Sequence, residues 1–365
     1  MANKTARLGD LATYINGYAF KPADWGETGL PIIRIQDLTG NSYQLNRYDG
    51  EYPERIEVND GDVLISWSAS LGVYVWQRGK ALLNQHIFRV VFDKLPVNKD
   101  YFVFAVEHKL AEMESKTHGA TMKHIVKKDF DGTTIPYPPI EKQAEIADHL
   151  RRITSLIDRQ TEQLLLLDQL VKSRFIELFG DPVTNPYGWQ QLTVNDVCVS
   201  IVRGPFGSAL KKEFFVPPSD TTYKVYEQKH AIQKSSTIGT YYVTAEKYNE
   251  LRRFECHSGD ILMSCSGTMG ELYQLPAGCE RGIINQALCK FTLNERILPI
   301  AFLAYMRETI GNLETKGSGI QNIAAVSYVK AMPINLPPMR VQEQFAAFVE
   351  QTDKSKLCSK MEVAA

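Results

Sequence analysis

Apolar residues in this chain follow two periods. From residue 1 to about 135, short runs rich in Val, Ile and aromatic residues are broken by Gly, Asp, Asn and Pro, so that 31–35, 63–67 and 87–92 read as strands. Residues 101–113 carry apolar side chains at helical spacing. After residue 180 the plan returns, with strands expected at 223–226, 260–263 and 287–291 and a helix at 299–310. Between the two β-rich stretches the spacing becomes that of one long helix. It runs from just after Pro138-Pro139 to Phe179, where Gly180-Asp181-Pro182 is a strong stop.

Forty helical residues would reach roughly 60 Å, long for a globular interior. With Leu150 at heptad position a, the a/d seam is Ile146, Leu150, Ile153, Ile157, Gln160, Leu164, Leu167, Val171, Arg174 and Leu178, eight of ten apolar. Glu162, Asp168 and Lys172 suit the solvated face, which favours a helix-on-helix seam over a long core helix of one domain. A second helix opens in the same way after Pro337-Pro338, with Gln342, Phe345 and Val349. Its register then places Thr352, Lys356 and Ser359 where apolar residues belong. It is therefore expected to be short and weakly apolar, leaving 157–178 of the first helix free to pair with a second copy of the chain.

The two β-rich stretches are repeats of each other. Gly61-Asp62-Val63-Leu64-Ile65-Ser66 returns as Gly259-Asp260-Ile261-Leu262-Met263-Ser264, an offset of 198 (259 − 61) kept by Ser68/Ser266 and Gly72/Gly270. Asn84-Gln85 returns as Asn285-Gln286, Gly119…Ile125 as Gly317…Ile323, and Ile135…Gln143 as Ile334…Gln342. A period this long repeats a whole domain with its following helix, not a solenoid unit. The expected architecture is α+β: two similar mixed α/β domains at 1–138 and 181–337, a long coiled-coil-type helix at 139–180 between them, and a shorter helix at 338–365.

At 365 residues, 44% hydrophobic and 23% charged, the composition is that of a soluble protein with two ordinary domains. No run approaches the roughly 18 to 20 apolar residues of a membrane span, and the first residues lack a signal-peptide stretch, so a cytoplasmic location is expected. The six cysteines all lie in the second half without C-x-x-C spacing, which favours reduced buried thiols over disulfides or zinc. A net charge of −1 argues against indiscriminate coating of nucleic acid, but not against a specific reader with locally basic faces.

Catalytic constellations are missing from the sequence. Gly79-Lys80 lacks the upstream glycine and following hydroxyl of a phosphate loop, and Gly317-Ser318-Gly319 lacks the rest of a dinucleotide fingerprint. Asn185-Pro186-Tyr187 follows a helix stop where an amino-methyltransferase loop would follow a strand. The histidines are scattered without metal spacing, and no catalytic or metal-binding residue is assigned. Duplication without catalysis points to recognition.

The segment after each domain's helix is polar and glycine-bearing, and basic in the first copy: Lys116, His118, Thr121, Lys123, His124 and Lys127, answered by Lys316, Ser318, Gln321 and Asn322. Arg203, Lys211 and Lys212 form a second basic stretch, with Lys224, Lys229, His230 and Lys234 beyond. Lysines suit phosphates, and Gln, Asn and His can read base edges; an ordinary solvated loop is an equal reading of any one of them.

The order of parts, with Ile135-Pro-Tyr-Pro-Pro-Ile-Glu-Lys-Gln-Ala-Glu-Ile-Ala147, the helix end Phe175-Ile-Glu-Leu-Phe-Gly-Asp-Pro-Val-Thr-Asn-Pro-Tyr-Gly-Trp189 and Gly-Asp-Val/Ile-Leu in both halves, resembles the specificity (S) subunit of type I restriction-modification enzymes. The likeness covers nearly the whole chain. It implies two target recognition domains, each reading one half of a bipartite, asymmetric DNA site, with the helix length part of the specificity. It also implies that this chain is non-catalytic and binds no cofactor. S-adenosylmethionine, ATP and Mg would belong to partners: two methyltransferase subunits and the restriction (helicase-nuclease) subunits. The open alternatives are a scaffold or dimerising protein and a silent, truncated specificity cassette.

Overall fold

A computed structural model describes residues 4–40, 46–116, 127–314 and 326–364, excepting the side chains of 114–116, 311–314 and 359–364. The chain divides into two compact units, Met1–Asp158 and Arg159–Ala365.

Each unit is built from the same three sheets. In the first, Thr5–Arg7 pairs with Thr134–Pro136; Thr13–Asn16, Ile87–Val91, Val63–Ser66 and Gly72–Val75 form an antiparallel sheet in that order; and Arg47–Tyr48, Leu30–Ile33, Ala81–Leu83 and Glu57–Val58 form a mixed sheet. In the second, Gln190–Thr193 pairs with Pro333–Leu336. Cys198–Arg203, Leu288–Leu293, Ile261–Ser264 and Leu272–Gln274 form the antiparallel sheet, and Tyr242–Thr244, Thr222–Tyr226, Gly282–Ile284 and Glu255–Cys256 the mixed one. The parallel pair, Ile32 beside Leu82 and Val225 beside Ile283, recurs in both.

The repeated Gly-Asp-Val-Leu is explained by its place. Gly61 and Gly259 both hold φ 90, in the left-handed region, and the following carboxylates close the turn: Asp62 Oδ2 accepts Asn59 N–H at 2.9 Å, Asp260 Oδ2 accepts His257 N–H at 2.8 Å. The strand that follows is buried on both faces. Val63 and Ile65 join one core with Tyr14, Phe88, Phe102 and Phe130, while Leu64 joins another with Ile32, Ile33 and Leu82. Ile261 and Met263 alternate with Leu262 in the same way. A strand packed on both sides cannot show the alternation of a half-exposed one, hence the continuous apolar run. The strand expected at 31–35 runs from Leu30 to Ile33, starting one residue earlier and ending two residues sooner, because Ile35 opens the short helix Ile35–Leu38.

The long helix is continuous from Ile140 to Phe179. Gly180, φ 78, ends it, with its N–H donated to Ile176 O at 2.9 Å, and the Asp181 carboxylate accepts Val183 and Thr184 N–H. Each long helix is fastened near its start by a buried glutamine. Gln143 accepts Asn98 N–H at 2.9 Å and donates to Pro138 O at 2.8 Å. Gln342 accepts Leu298 N–H at 2.8 Å and donates to Arg296 O and Pro337 O, both at 3.0 Å.

The C-terminal helix, Met339–Ala364, corrects one expectation. It runs against 168–179, which includes much of the stretch 157–178 that was to remain without an intramolecular partner. Phe345 packs edge-on to Phe175 and Phe179, and Val171, Ile176 and Leu178 lie on the same core as Phe345 and Val349. The polar residues in its register are accommodated individually: Thr352 Oγ1 donates to Phe348 O at 2.9 Å, and Lys356 pairs with Asp168 at 2.7 Å. In the first half of the long helix, Leu150, Ile153 and Leu156 are 37%, 53% and 58% exposed, whereas Ile146, Leu164 and Leu167 are half-buried. Ile157 is also exposed.

All six cysteines are free thiols; Cys256, Cys265 and Cys289 are buried, Cys198 and Cys279 half-buried and Cys358 exposed, so burial is not general. Among the described residues no helix is long and apolar enough to cross a membrane.

Candidate nucleic-acid interface

Most of the loop residues singled out as contacts, His118, Thr121, Lys123, His124, Lys316, Ser318, Gln321 and Asn322, lie outside the described residues, as does the side chain of Lys116. Lys127 is described: it begins the short helix Lys127–Gly132 and pairs with Asp131 at 3.7 Å. Lys211 is exposed and pairs with Glu213 at 3.6 Å, with Lys212 exposed beside it.

The rest of the second basic stretch is largely structural. Arg203 is buried; its Nε donates to Gln286 O at 3.4 Å and its guanidinium lies 4.9 Å from the Phe206 ring centroid. Lys224, only 1% exposed, pairs with Glu280 at 2.6 Å. His230 is fully buried; Glu227 N–H donates to Nδ1 at 2.8 Å and Nε2 lies 2.7 Å from Ile238 O, so the ring is held neutral with its proton on Nε2. Burial pushes its pKa down, against the raising effect of the Glu227 and Ile238 contacts. These three side chains hold the mixed sheet and its loops and are withdrawn from solvent. Sequence alone could not separate Arg203 and Lys224 from surface cations, because their partners Gln286 and Glu280 lie 83 and 56 residues away, whereas His230 is held by Glu227 and Ile238 close along the chain.

A different locus, missed in the sequence, is built identically in both units. The backbone crosses itself where the two larger sheets meet. Gly17 lies against Asn84 so closely that a Cβ would stand 2.0 Å from Asn84 O, and Gly204 lies against Asn285 with a Cβ distance of 1.9 Å. Gly17 N–H donates to Ile87 O at 3.2 Å and Gly204 N–H to Leu288 O at 3.0 Å; Asn84 N–H donates to Ile33 O, Asn285 N–H to Tyr226 O. Each asparagine side chain then fixes the next turn, Asn84 Oδ1 accepting Gln85 N–H and Asn285 Oδ1 accepting Ala287 N–H. The signal was present as the repeated Asn-Gln, without anything to say that a glycine from elsewhere would sit on it.

The crossing lies at the carboxyl ends of the parallel strands, the side of α/β sheets where ligands are commonly bound. Exposed there are Gln85 and Gln286, with Tyr18 (43% exposed) in one unit and Phe206 (62%) in the other. The hairpins 66–72 and 264–270 lie alongside, for Trp67 N–H donates to His86 O and Cys265 N–H to Ala287 O. Ser66 Oγ and Ser264 Oγ tie the hairpins inward, donating to Ser70 O and accepting Glu271 N–H respectively. Among the described residues no group of three or more His, Cys, Asp or Glu could hold a metal ion.

The sequence model of the type I restriction modification DNA specificity domain matches twice, over residues 2–167 and 186–361. The chain belongs to that family. This specificity-domain protein is 29% identical over 168 residues to the Type I restriction enzyme EcoBI specificity subunit of Escherichia coli, covering 45% of this chain and 35% of that one. To the MjaVIII specificity subunit of Methanocaldococcus jannaschii it is 24% identical over 198 residues, covering 53% and 46%. The matches thus span between about a third and a half of these relatives' own length. The S subunit of a type I restriction-modification system from M. genitalium superposes with a TM-score of 0.57 at 13% identity, covering 99% of this chain and 92% of that one. A chain from a type I R-M system solved to explain its complex assembly and conformational transition gives 0.58 at 15%, with the same coverage. At such identities the likeness is one of fold.

Proposed function

We propose that this chain is the specificity subunit of a type I restriction-modification system, whose two units each read one half of a bipartite, asymmetric DNA site. The observation that carries the reading is the family match over both units, on a frame that is duplicated while many of its side chains differ. Two unlike readers on one frame suit two unlike half-sites. No catalytic constellation stands in the sequence, which supports placing methyl transfer, with S-adenosylmethionine, and ATP- and Mg-dependent restriction in partner subunits. The apolar residues Leu150, Ile153 and Leu156, exposed in one row of the long helix, support protein docking there, since such rows on soluble proteins mark interaction surfaces.

Methylation mapping by long-read sequencing, in cells carrying this gene and the methyltransferase subunit of its system, tests the reading. One split, asymmetric motif is expected; no new methylation despite recovery of the complex would refute it.

A further inference from the structure

Comparison of the two crossings separates a common part from a varied part. The glycines, the asparagines, Ser66/Ser264 and the exposed Gln85/Gln286 are identical. Around them Tyr18 is answered by Pro205 with Phe206 next to it, Ile35 by Gln228, and His86 by Ala287. An identical frame explains the buried members, but the fold does not require two exposed glutamines. Each extends from backbone fixed on either side: Gln85 N–H is held by Tyr18 O at 2.8 Å as well as by Asn84, and Gln286 O accepts from Arg203. Anchoring of this kind places a side-chain amide with little freedom left to lose on binding.

Two further observations single out the same edge. Ala69 and His86 hold φ 61 and φ 72, conformations that residues other than glycine rarely adopt, and both belong to the loops at the first crossing. In the second unit Gln228 fastens its hairpin to the crossing, accepting Ser266 Oγ at 3.2 Å and donating to Thr268 O at 3.3 Å; Ile35 in the first unit has no polar atoms to do this. The hairpins are therefore set differently on the same base. Each edge also offers an exposed aromatic ring next to its glutamine. A glutamine can bond both N6 and N7 of adenine, and an aromatic ring can pack on a thymine methyl group.

We infer that the glycine–asparagine crossing is the base-reading edge of each unit. Gln85 and Gln286 make the contact common to both, and Tyr18 in one unit and Phe206 in the other make contacts that differ, with Gln228 positioning the second hairpin. The inference rests on the DNA-reading function proposed above and adds the side chains that perform it.

The test uses the full chain with the methyltransferase subunit of its system to select binders from a pool of random-sequence duplexes. Wild type, Gln85→Ala, Gln286→Ala and Phe206→Ala are compared, with circular dichroism to show that each exposed substitution leaves the fold intact. Gln85→Ala and Gln286→Ala are each expected to weaken binding to the wild-type motif roughly tenfold or more and to relax base preference in one half only, a different half for each. Phe206→Ala is expected to relax the half affected by Gln286→Ala. Should the wild type select a split motif that all three variants select unchanged, with affinity within about twofold, or lose affinity equally for every sequence, the inference fails and the function stands. Should the wild type select no motif, both fall.

Discussion

Gly17 and Gly204 are positions at which one added methyl group would meet backbone head-on. In Gly204→Ala the new Cβ meets the Asn285 carbonyl at 1.9 Å, and that oxygen is backbone, unable to swing aside. Relief requires parting the strands, and about 3 kcal/mol of stability should be lost. Gly188→Ala is the comparison: φ 63 strains it, but nothing lies within 4 Å of the added carbon, so about 1 kcal/mol is expected. Urea unfolding midpoints measure both, and equal losses would show that close approach is not what requires glycine at 204. The buried glutamines invite a second measurement. Gln342→Ala strands Leu298 N–H and two carbonyls in a buried place, and a loss of about 3 kcal/mol is expected in the same assay. The matching offset of Gln143 and Gln342 could be read in the sequence. Their task could not, because the groups they bond lie 45 and 44 residues away.

Elements were more legible than their contacts. The long helix announced itself by heptad spacing and by Gly180-Asp181-Pro182, and the central strands by the turn that Gly61 and Gly259 make. Which part of the long helix the second helix covers was misread, because Thr352 and Lys356 look like breaks in a seam until their partners, Phe348 O and Asp168, are known. The strands' charged ends predict a pH dependence. Glu255 is raised by its burial, but hydrogen bonds from Tyr248 and Arg281, with the charges of His257 and Arg281, outweigh this and hold it below the usual carboxylate range. Glu57, in the corresponding place, is lowered first by its bond to Lys80. A carboxyl whose pKa falls on folding adds stability above its unfolded value, near 4.5, and loses it as pH drops through the folded one. The thermal midpoint should therefore decline below about pH 4.5, and Glu57→Gln with Glu255→Gln should flatten that decline. A double variant with the wild-type slope would place the titration elsewhere.

At the scale of the molecule, duplication was plain in the sequence and the reading surface was not. The polar loop at 116–128 carries a compositional mark and most of it lies outside the described residues, whereas an edge made by a glycine crossing over an asparagine has no compositional mark. The same limit applies to partners. Leu150 and Ile153 lie on the heptad seam with Leu156 beside it, yet only the structure shows that all three stay exposed while the helix end at 168–179 is covered. If the methyltransferase subunit docks on this row, two of its side chains leave water on assembly, at about 2 kcal/mol each. Ile153→Glu with Leu156→Glu should then weaken capture of that subunit by roughly 100-fold or more in a pull-down from co-expressing cells. Both positions are more than half exposed, so the fold has little to lose and the thermal midpoint should stay near wild type. Undiminished capture by the double variant would move the docking surface off this helix, while the crossing edges would keep their assigned role in reading DNA.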